Sequence, residues 1–145
     1  MADIKRKGMA VWHGSLREGD GTVSVESAAI RDEPYAFGTR FENKPGTNPE
    51  ELIAAAHAGC YSMAIANVLA ENGYEVEGIE TTATVFLAKE EGGFRIHKSA
   101  LEVRGRVPEI DEETFKELAE KADKGCPVSN LLRPGLDIEL EAMLA

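Results

Sequence analysis

Two cysteines, Cys60 and Cys126, are the residues of this chain best suited to chemistry. A zinc site is excluded, because two cysteines far apart in the chain and three scattered histidines lack the spacing of metal ligands. No glycine-rich phosphate loop follows a predicted strand, and no serine lies on the sharp strand-to-helix turn typical of hydrolases. Thiol chemistry remains, and a buried, inert cysteine is the alternative for Cys60.

Cys60 needs a neighbouring cation to act as a nucleophile, because the thiolate is the reactive form and a free cysteine has a pKa near 8.5. Lowering that pKa to about 6 requires roughly 3.4 kcal/mol in favour of the charged form. A helix dipole contributes ~0.3–1 kcal/mol within its first turn, and Cys60 is predicted about three turns into a helix. An arginine at about 4 Å in a partly desolvated site contributes ~4 kcal/mol, and a carboxylate would orient it.

The cysteine is predicted to lie on a long helix, residues 48–72. Asn48 suits the N-cap, Pro49 suits the first helical position, and Glu51 completes a capping-box pattern. Gly73 is suited to end the helix. Because the middle of the helix is small or apolar on both faces, we expect it to run through a core. A membrane span is the alternative, but charged and polar residues interrupt the stretch before it reaches about 18 uncharged residues.

The length and charge of the chain restrict its class. At 145 residues it is long enough for one domain, 1–145, with a sizeable core. The N-terminal segment lacks an apolar stretch of signal-peptide length, so we expect a cytoplasmic location, with cysteines that are free or redox-active. The formal net charge of −10 argues against binding to nucleic acid or to anionic membranes.

The other elements predict an α+β fold with antiparallel sheets. We expect N-terminal strands within 1–45, a hairpin of two long strands over 76–107, a second helix with the Cys126 segment over 111–132, and a final strand over 135–145. Residues 33–42 are expected to be irregular or briefly extended. His97, in the hairpin, is expected to face solvent or a cross-strand partner. Arg40 could reach the long helix, and a solvated loop arginine is the alternative.

Three motifs carry a resemblance to a known family. They are TNPEELIAAAHAGC in the long helix, GTRFE before it and KGCPVS after the second helix. Together they resemble the OsmC/Ohr family of organic hydroperoxide reductases, most closely its osmotically inducible protein C branch, over essentially the full chain. The resemblance implies a central helix that carries the reactive cysteine, and an intertwined homodimer with active sites at the subunit interface.

The resemblance also implies roles for individual residues. Cys60 would be the peroxidatic thiolate and Cys126 the resolving cysteine. Arg40 would stabilise the thiolate and polarise the peroxide, and Glu50 would hold Arg40 in place. Arg17 is a weaker candidate for the arginine, because the sister branch takes it from nearer the N-terminus.

The position of Glu50 raises a geometric problem. Glu50 and Cys60 are ten residues apart, about 15 Å along a continuous helix and roughly 80° around it. Either the helix begins after Glu50, or Glu50 and Arg40 reach Cys60 from a second subunit. We favour the second subunit, because the resemblance implies an intertwined dimer with sites at the subunit interface, and the small residues of the helix suit close packing.

The reaction implied by the resemblance is the reduction of alkyl or lipid hydroperoxides to alcohols, through a sulfenic acid and an intramolecular disulfide. Hydrogen peroxide is left open as a further substrate. An external dithiol, a dihydrolipoyl group on a lipoylated partner protein, would reduce the disulfide, and no bound cofactor or metal is needed. Tyr35, Phe37, Phe41 and Tyr61 could line an apolar pocket, with core packing as the alternative. A non-catalytic redox sensor or ligand-binding relative is the competing function.

Overall fold

Three antiparallel strands form the N-terminal sheet of the computed structural model, which describes residues 2–145. The strands are β1 (Gly8–His13), β2 (Asp20–Val25) and β3 (Glu33–Ala36), and they pair in the order β1-β2-β3. This sheet belongs to the first of two compact units, which ends at Leu52, and the second unit begins at Ile53. The predicted N-terminal strands are therefore present.

A single helical turn, α1 (Phe37–Phe41), follows β3 directly. Residues 33–42 are therefore more regular than expected, since they form a strand and then a helix. Thr39 stabilises the corner, because its hydroxyl accepts from the N–H of Ala36 and donates to the carbonyl of Ala36, each at 2.9 Å. The corner fixes the backbone next to Arg40.

The long helix α2 runs from Pro49 to Glu71, close to its predicted bounds. Asn48 Oδ1 accepts from the N–H of Glu51 at 2.8 Å, and Asn48 Nδ2 donates to the Glu51 carboxylate at 3.2 Å. The predicted cap is therefore confirmed, with an amide in place of the usual hydroxyl. Gly73 follows the helix with φ +86°. By length and composition α2 could cross a membrane, at a mean hydropathy of 1.5, but core helices meet the same test.

The second unit contains a three-stranded sheet in the order β4-β5-β6. β4 (Gly78–Glu90) and β5 (Gly93–Arg106) form the predicted antiparallel hairpin, while β6 (Asp137–Leu144) pairs with β5 in parallel. The expectation of antiparallel sheets is therefore wrong for β6, which pairs in parallel. The reason is the connection between β5 and β6, which contains the helices α3 (Glu112–Gly125) and α4 (Pro127–Leu132). Such a helical crossover returns the chain to the end of the sheet where β5 began.

The core of the second unit is formed by α2, β5 and α3. One apolar face of α3 is buried, and Asp111 caps that helix by accepting from the N–H of Thr114 at 2.7 Å. Cys126 is part of this core, and Cys60 packs against it. The buried apolar side chains on these three elements are Tyr61, Ile65 and Leu69 on α2, Leu101 and Val103 on β5, and Phe115, Ala119 and Ala122 on α3.

Candidate functional site

The two cysteines meet in the second unit. Cys126 Sγ lies 3.4 Å from Cys60 Sγ, and both side chains are free thiols. Cys126 is fully buried, whereas Cys60 is partly exposed. A disulfide has a sulfur–sulfur distance of about 2.05 Å, so the two sulfurs need to approach by little more than 1 Å to bond. The pair is therefore placed for reversible disulfide chemistry.

The corner between α3 and α4 positions Cys126. Cys126 ends α3 and caps α4, with Pro127 at the first position of α4, and the N–H of Ser129 donates to Cys126 Sγ at 3.5 Å. Arg133 Nη2 contacts Asp123 Oδ2 at 2.9 Å, which ties the end of α4 to the last turn of α3. Both ends of the short segment that carries Cys126 are therefore fixed.

The second unit by itself does not activate Cys60. Burial raises the pKa of the Cys60 thiol, the backbone N–H of Val128 opposes this effect, and the neighbouring Cys126 raises the pKa further. The two named groups, Val128 and Cys126, belong to the second unit, and no cation is among the causes. A thiol in this environment stays protonated at neutral pH, so its use as a nucleophile requires positive charge from another source.

Arg40 and Glu50 form an ion pair in the first unit. Arg40 Nε lies 3.1 Å and 3.2 Å from the two carboxylate oxygens of Glu50, and Arg40 Nη2 lies 2.8 Å from Oε1. Glu50 is only 8% exposed, so its charge requires a partner such as this arginine. Because α2 begins at Pro49, the alternative in which the helix starts after Glu50 is wrong. The structure thus brings Arg40 together with Glu50, and Cys60 together with Cys126.

An apolar cavity of about 320 Å³ lies in the first unit. The guanidinium of Arg17 lies over the ring of Phe37, 4.8 Å from its centre. Tyr61 is not part of this cavity, because it is buried in the core of the second unit and its hydroxyl donates to the Ala119 carbonyl at 2.9 Å. The cavity is lined by Trp12, Leu16, Tyr35, Ala36, Phe37, Arg40 and Phe41.

His57 is a buried polar residue that the sequence analysis did not single out. Its Nδ1 lies 2.7 Å from Ser99 Oγ, and its Nε2 lies 2.7 Å from Ser129 Oγ. Burial lowers the pKa of His57, the charge of Arg133 lowers it further, and Asp123 opposes them. Only the position of His57 in the sequence indicated a role near the thiol. It is three residues before Cys60, which places it one helical turn away on nearly the same face.

His97 lies in β5, two residues before Ser99. Its ring packs against Phe86 of β4, with the ring centres 6.0 Å apart, so a cross-strand partner is present as expected. Within residues 2–145 there is no group of three or more histidine, cysteine, aspartate or glutamate side chains that could hold a metal ion.

Comparison with known proteins identifies similar chains over most of the length. Residues 41–141 match the family model described as OsmC-like protein. Peroxiredoxin OsmC of Escherichia coli (strain K12) is 48% identical over 138 residues, which cover 95% of this chain and 96% of that protein. Organic hydroperoxide resistance protein OhrB of Bacillus subtilis (strain 168) is 33% identical over 122 residues, covering 83% and 88%. The crystal structure of Bacillus subtilis OhrB matches with a TM-score of 0.75 and 28% identity, covering 94% and 97%.

Proposed function

Because this chain belongs to the family of OsmC-like proteins, we propose that it is a cysteine-based peroxidase that reduces organic hydroperoxides to alcohols. The observation that carries the proposal is the 3.4 Å separation of Cys60 Sγ and Cys126 Sγ. The names of the relatives, a peroxiredoxin and an organic hydroperoxide resistance protein, support the same activity.

The reaction takes place in two steps. The Cys60 thiolate attacks the terminal oxygen of the hydroperoxide, a sulfur–oxygen bond forms as the oxygen–oxygen bond breaks, and the alkoxide takes a proton and leaves as the alcohol. Cys60 is then a sulfenic acid. Cys126 attacks the Cys60 sulfur, a disulfide forms, and the hydroxide that leaves takes a proton to become water. The peroxide gains two electrons and the two thiols lose them.

Arg40 and Glu50 supply the activation that the second unit lacks. The guanidinium stabilises the Cys60 thiolate and the peroxide oxygens, and Glu50 holds the guanidinium through its bonds to Nε and Nη2. Arg17, stacked on Phe37, is the second candidate for this role.

We place the Arg40–Glu50 pair of one subunit next to Cys60 of a second copy, in a homodimer with active sites at the interface. The unpartnered face of α2 supports this arrangement. Ala55, Gly59 and Met63 recur every four residues on one face, all are exposed, and Met63 is 76% exposed. Within residues 2–145 and beyond the adjacent backbone of α2, a Cβ added at Gly59 would meet no atom within 4 Å, so there is room for a second backbone.

The substrate class follows from the cavity beside Arg40. Its aromatic walls suit the organic group of an alkyl or lipid hydroperoxide, while the guanidinium suits the peroxide oxygens. Hydrogen peroxide lacks an organic group for these walls and would be the poorer substrate. The activity is proposed for the cytoplasm, where cysteines return to the thiol state.

The reductant is proposed to be an external dithiol, a dihydrolipoyl group carried by a lipoylated partner protein, and no bound cofactor is required. Because Cys126 is buried and Cys60 only partly exposed, a slender flexible dithiol suits the site better than a cysteine on a folded surface.

Peroxide consumption in the presence of a dithiol tests the proposal against a non-catalytic redox sensor or ligand-binding role. We expect repeated turnover with cumene hydroperoxide and dihydrolipoamide, whereas a sensor would stop after one equivalent. The contact between both thiols is compatible with either function, so repeated turnover is the property that distinguishes the enzyme.

A further inference from the structure

His57, Ser99 and Ser129 form a fully buried polar cluster for which the reaction above assigns no role. Each of the three side chains is 0% exposed, and the imidazole bridges the two hydroxyls. The cluster joins three elements, since His57 lies on α2, Ser99 on β5 and Ser129 on α4. Buried polar groups are costly unless they are paired, so this imidazole holds the three elements in one arrangement.

Both ring nitrogens of His57 are used in hydrogen bonds. A neutral imidazole has one donor and one acceptor nitrogen, so one serine accepts from the ring and the other donates to it. The lowered pKa of His57 favours this neutral form. The charged groups that face the ring are Asp123 and Arg133, and they are paired with each other at 2.9 Å.

The first turn of α4 links this cluster to both sulfurs. The N–H of Ser129 donates to Cys126 Sγ at 3.5 Å, and the N–H of Val128 interacts with the Cys60 thiol. The hydroxyl of Ser129 is at the same time bound to His57 Nε2. Loss of that bond would loosen the first turn of α4 at Ser129, whose N–H contacts Cys126 Sγ.

From this chain of contacts we propose that His57 is a positioning residue for the resolving step. It holds Ser129, and through Ser129 it holds Cys126 in line with the Cys60 sulfur. In that step Cys126 attacks the sulfur of Cys60 sulfenic acid, the sulfur–sulfur bond forms as the sulfur–oxygen bond breaks, and the hydroxyl leaves as water with the proton of the Cys126 thiol. The inference rests on the proposed peroxidase function.

Two substitutions of His57 separate its two hydrogen bonds. In His57→Asn the amide reaches the position of Nδ1 and can bind Ser99 only, whereas in His57→Gln it reaches the position of Nε2 and can bind Ser129. Ser129→Ala removes the same bond from the other side. Ser62→Ala is the matched control, because it removes a serine hydroxyl from α2, bonded to Thr81 at 2.7 Å, outside the cluster.

The measurement is a single turnover of the full chain with one equivalent of cumene hydroperoxide, quenched at intervals with dimedone to trap sulfenic acid. For His57→Asn and Ser129→Ala we expect disulfide formation to slow about tenfold, the factor that corresponds to one lost hydrogen bond of ~1.4 kcal/mol. Oxidation of Cys60 should change by less than about twofold. His57→Gln and Ser62→Ala should resolve close to the wild-type rate.

The possible outcomes distinguish failure of the positioning role of His57 from failure of the proposed peroxidase function. Equal slowing in His57→Gln and His57→Asn, or no slowing in Ser129→Ala, would overturn the positioning role. If His57→Asn does not fold, the comparison of Ser129→Ala with Ser62→Ala decides the question. If wild-type protein forms neither sulfenic acid nor disulfide, the proposed function itself has failed.

Discussion

Arg40 holds both carboxylate oxygens of Glu50, with Nη2 2.8 Å from Oε1 and Nε 3.1 and 3.2 Å from the two oxygens. The pair uses one edge of the planar guanidinium, so the other nitrogen, Nη1, is not needed to hold the carboxylate. An arginine fixed in this way can present positive charge in a set direction, which a flexible lysine cannot.

Arg40→Lys keeps the positive charge and loses the paired hydrogen bonds from Nε and Nη2 to the Glu50 carboxylate. Because charge-assisted hydrogen bonds contribute about 1.5–3 kcal/mol each, we expect the rate of Cys60 oxidation by cumene hydroperoxide to fall about ten- to a hundredfold. The pKa of Cys60, measured from the ultraviolet absorbance of the thiolate, should rise. Arg104→Lys, in an exposed pair with Glu102, is the control and should behave as wild type. A wild-type rate in Arg40→Lys would remove this arginine from the mechanism.

Mixed dimers test whether a second subunit completes the site. Cys60→Ser and Arg40→Ala subunits are each expected to be inactive as homodimers. Random mixing makes half of all dimers heterodimers. In a heterodimer, the Cys60→Ser subunit still has Arg40 and the Arg40→Ala subunit still has Cys60. If a site takes these two residues from different subunits, one of the two sites of each heterodimer is intact. Activity should therefore recover to about a quarter of the wild-type value in steady-state peroxide consumption. No recovery on mixing, with heterodimers demonstrated by mass spectrometry, would contradict the shared site.

The buried imidazole of His57 makes stability depend on pH. Its pKa in the folded chain is lowered from 6.5, mainly by burial, so the unfolded chain binds a proton at higher pH than the folded chain does. Stability contributed by the neutral ring is therefore complete above about pH 6.5 and is lost as the pH falls from there toward the lowered pKa. Urea unfolding at about pH 7.5 and about pH 5.5 should show a smaller loss for His57→Gln than for wild type. An equal loss in the two proteins would show that His57 does not titrate in this way.

Local sequence signals predicted most of the helices and strands. Asn48, Pro49 and Gly73 determine the ends of α2 through backbone hydrogen bonds and a positive φ, and such effects can be inferred from a few neighbouring residues. The direction of β6 could not be inferred in this way, because an alternating pattern is the same for parallel and antiparallel strands. The pairing with β5 depends on how α3 and α4 pack.

The candidate site was predictable only in part. The motifs around Cys60 and Cys126 indicated a thiol pair, and the resemblance implied the pairing of Arg40 with Glu50. His57 was missed, because its partners Ser99 and Ser129 are distant in sequence and meet only when β5 and α4 pack against α2. The residues next to His57 in the sequence are alanines, and they do not indicate which side chains the imidazole binds.

In the proposed reaction Cys60 reduces the peroxide and Cys126 resolves the product, and intact-mass analysis after a stoichiometric peroxide titration detects both steps. We predict one Cys60–Cys126 disulfide per equivalent of cumene hydroperoxide in wild type. Cys126→Ser should stop at Cys60 sulfenic acid after one normal oxidation and recycle slowly with dihydrolipoamide, and Cys60→Ser should consume no peroxide. Full peroxide consumption by Cys60→Ser, or oxidised wild-type protein without the Cys60–Cys126 disulfide, would contradict the account.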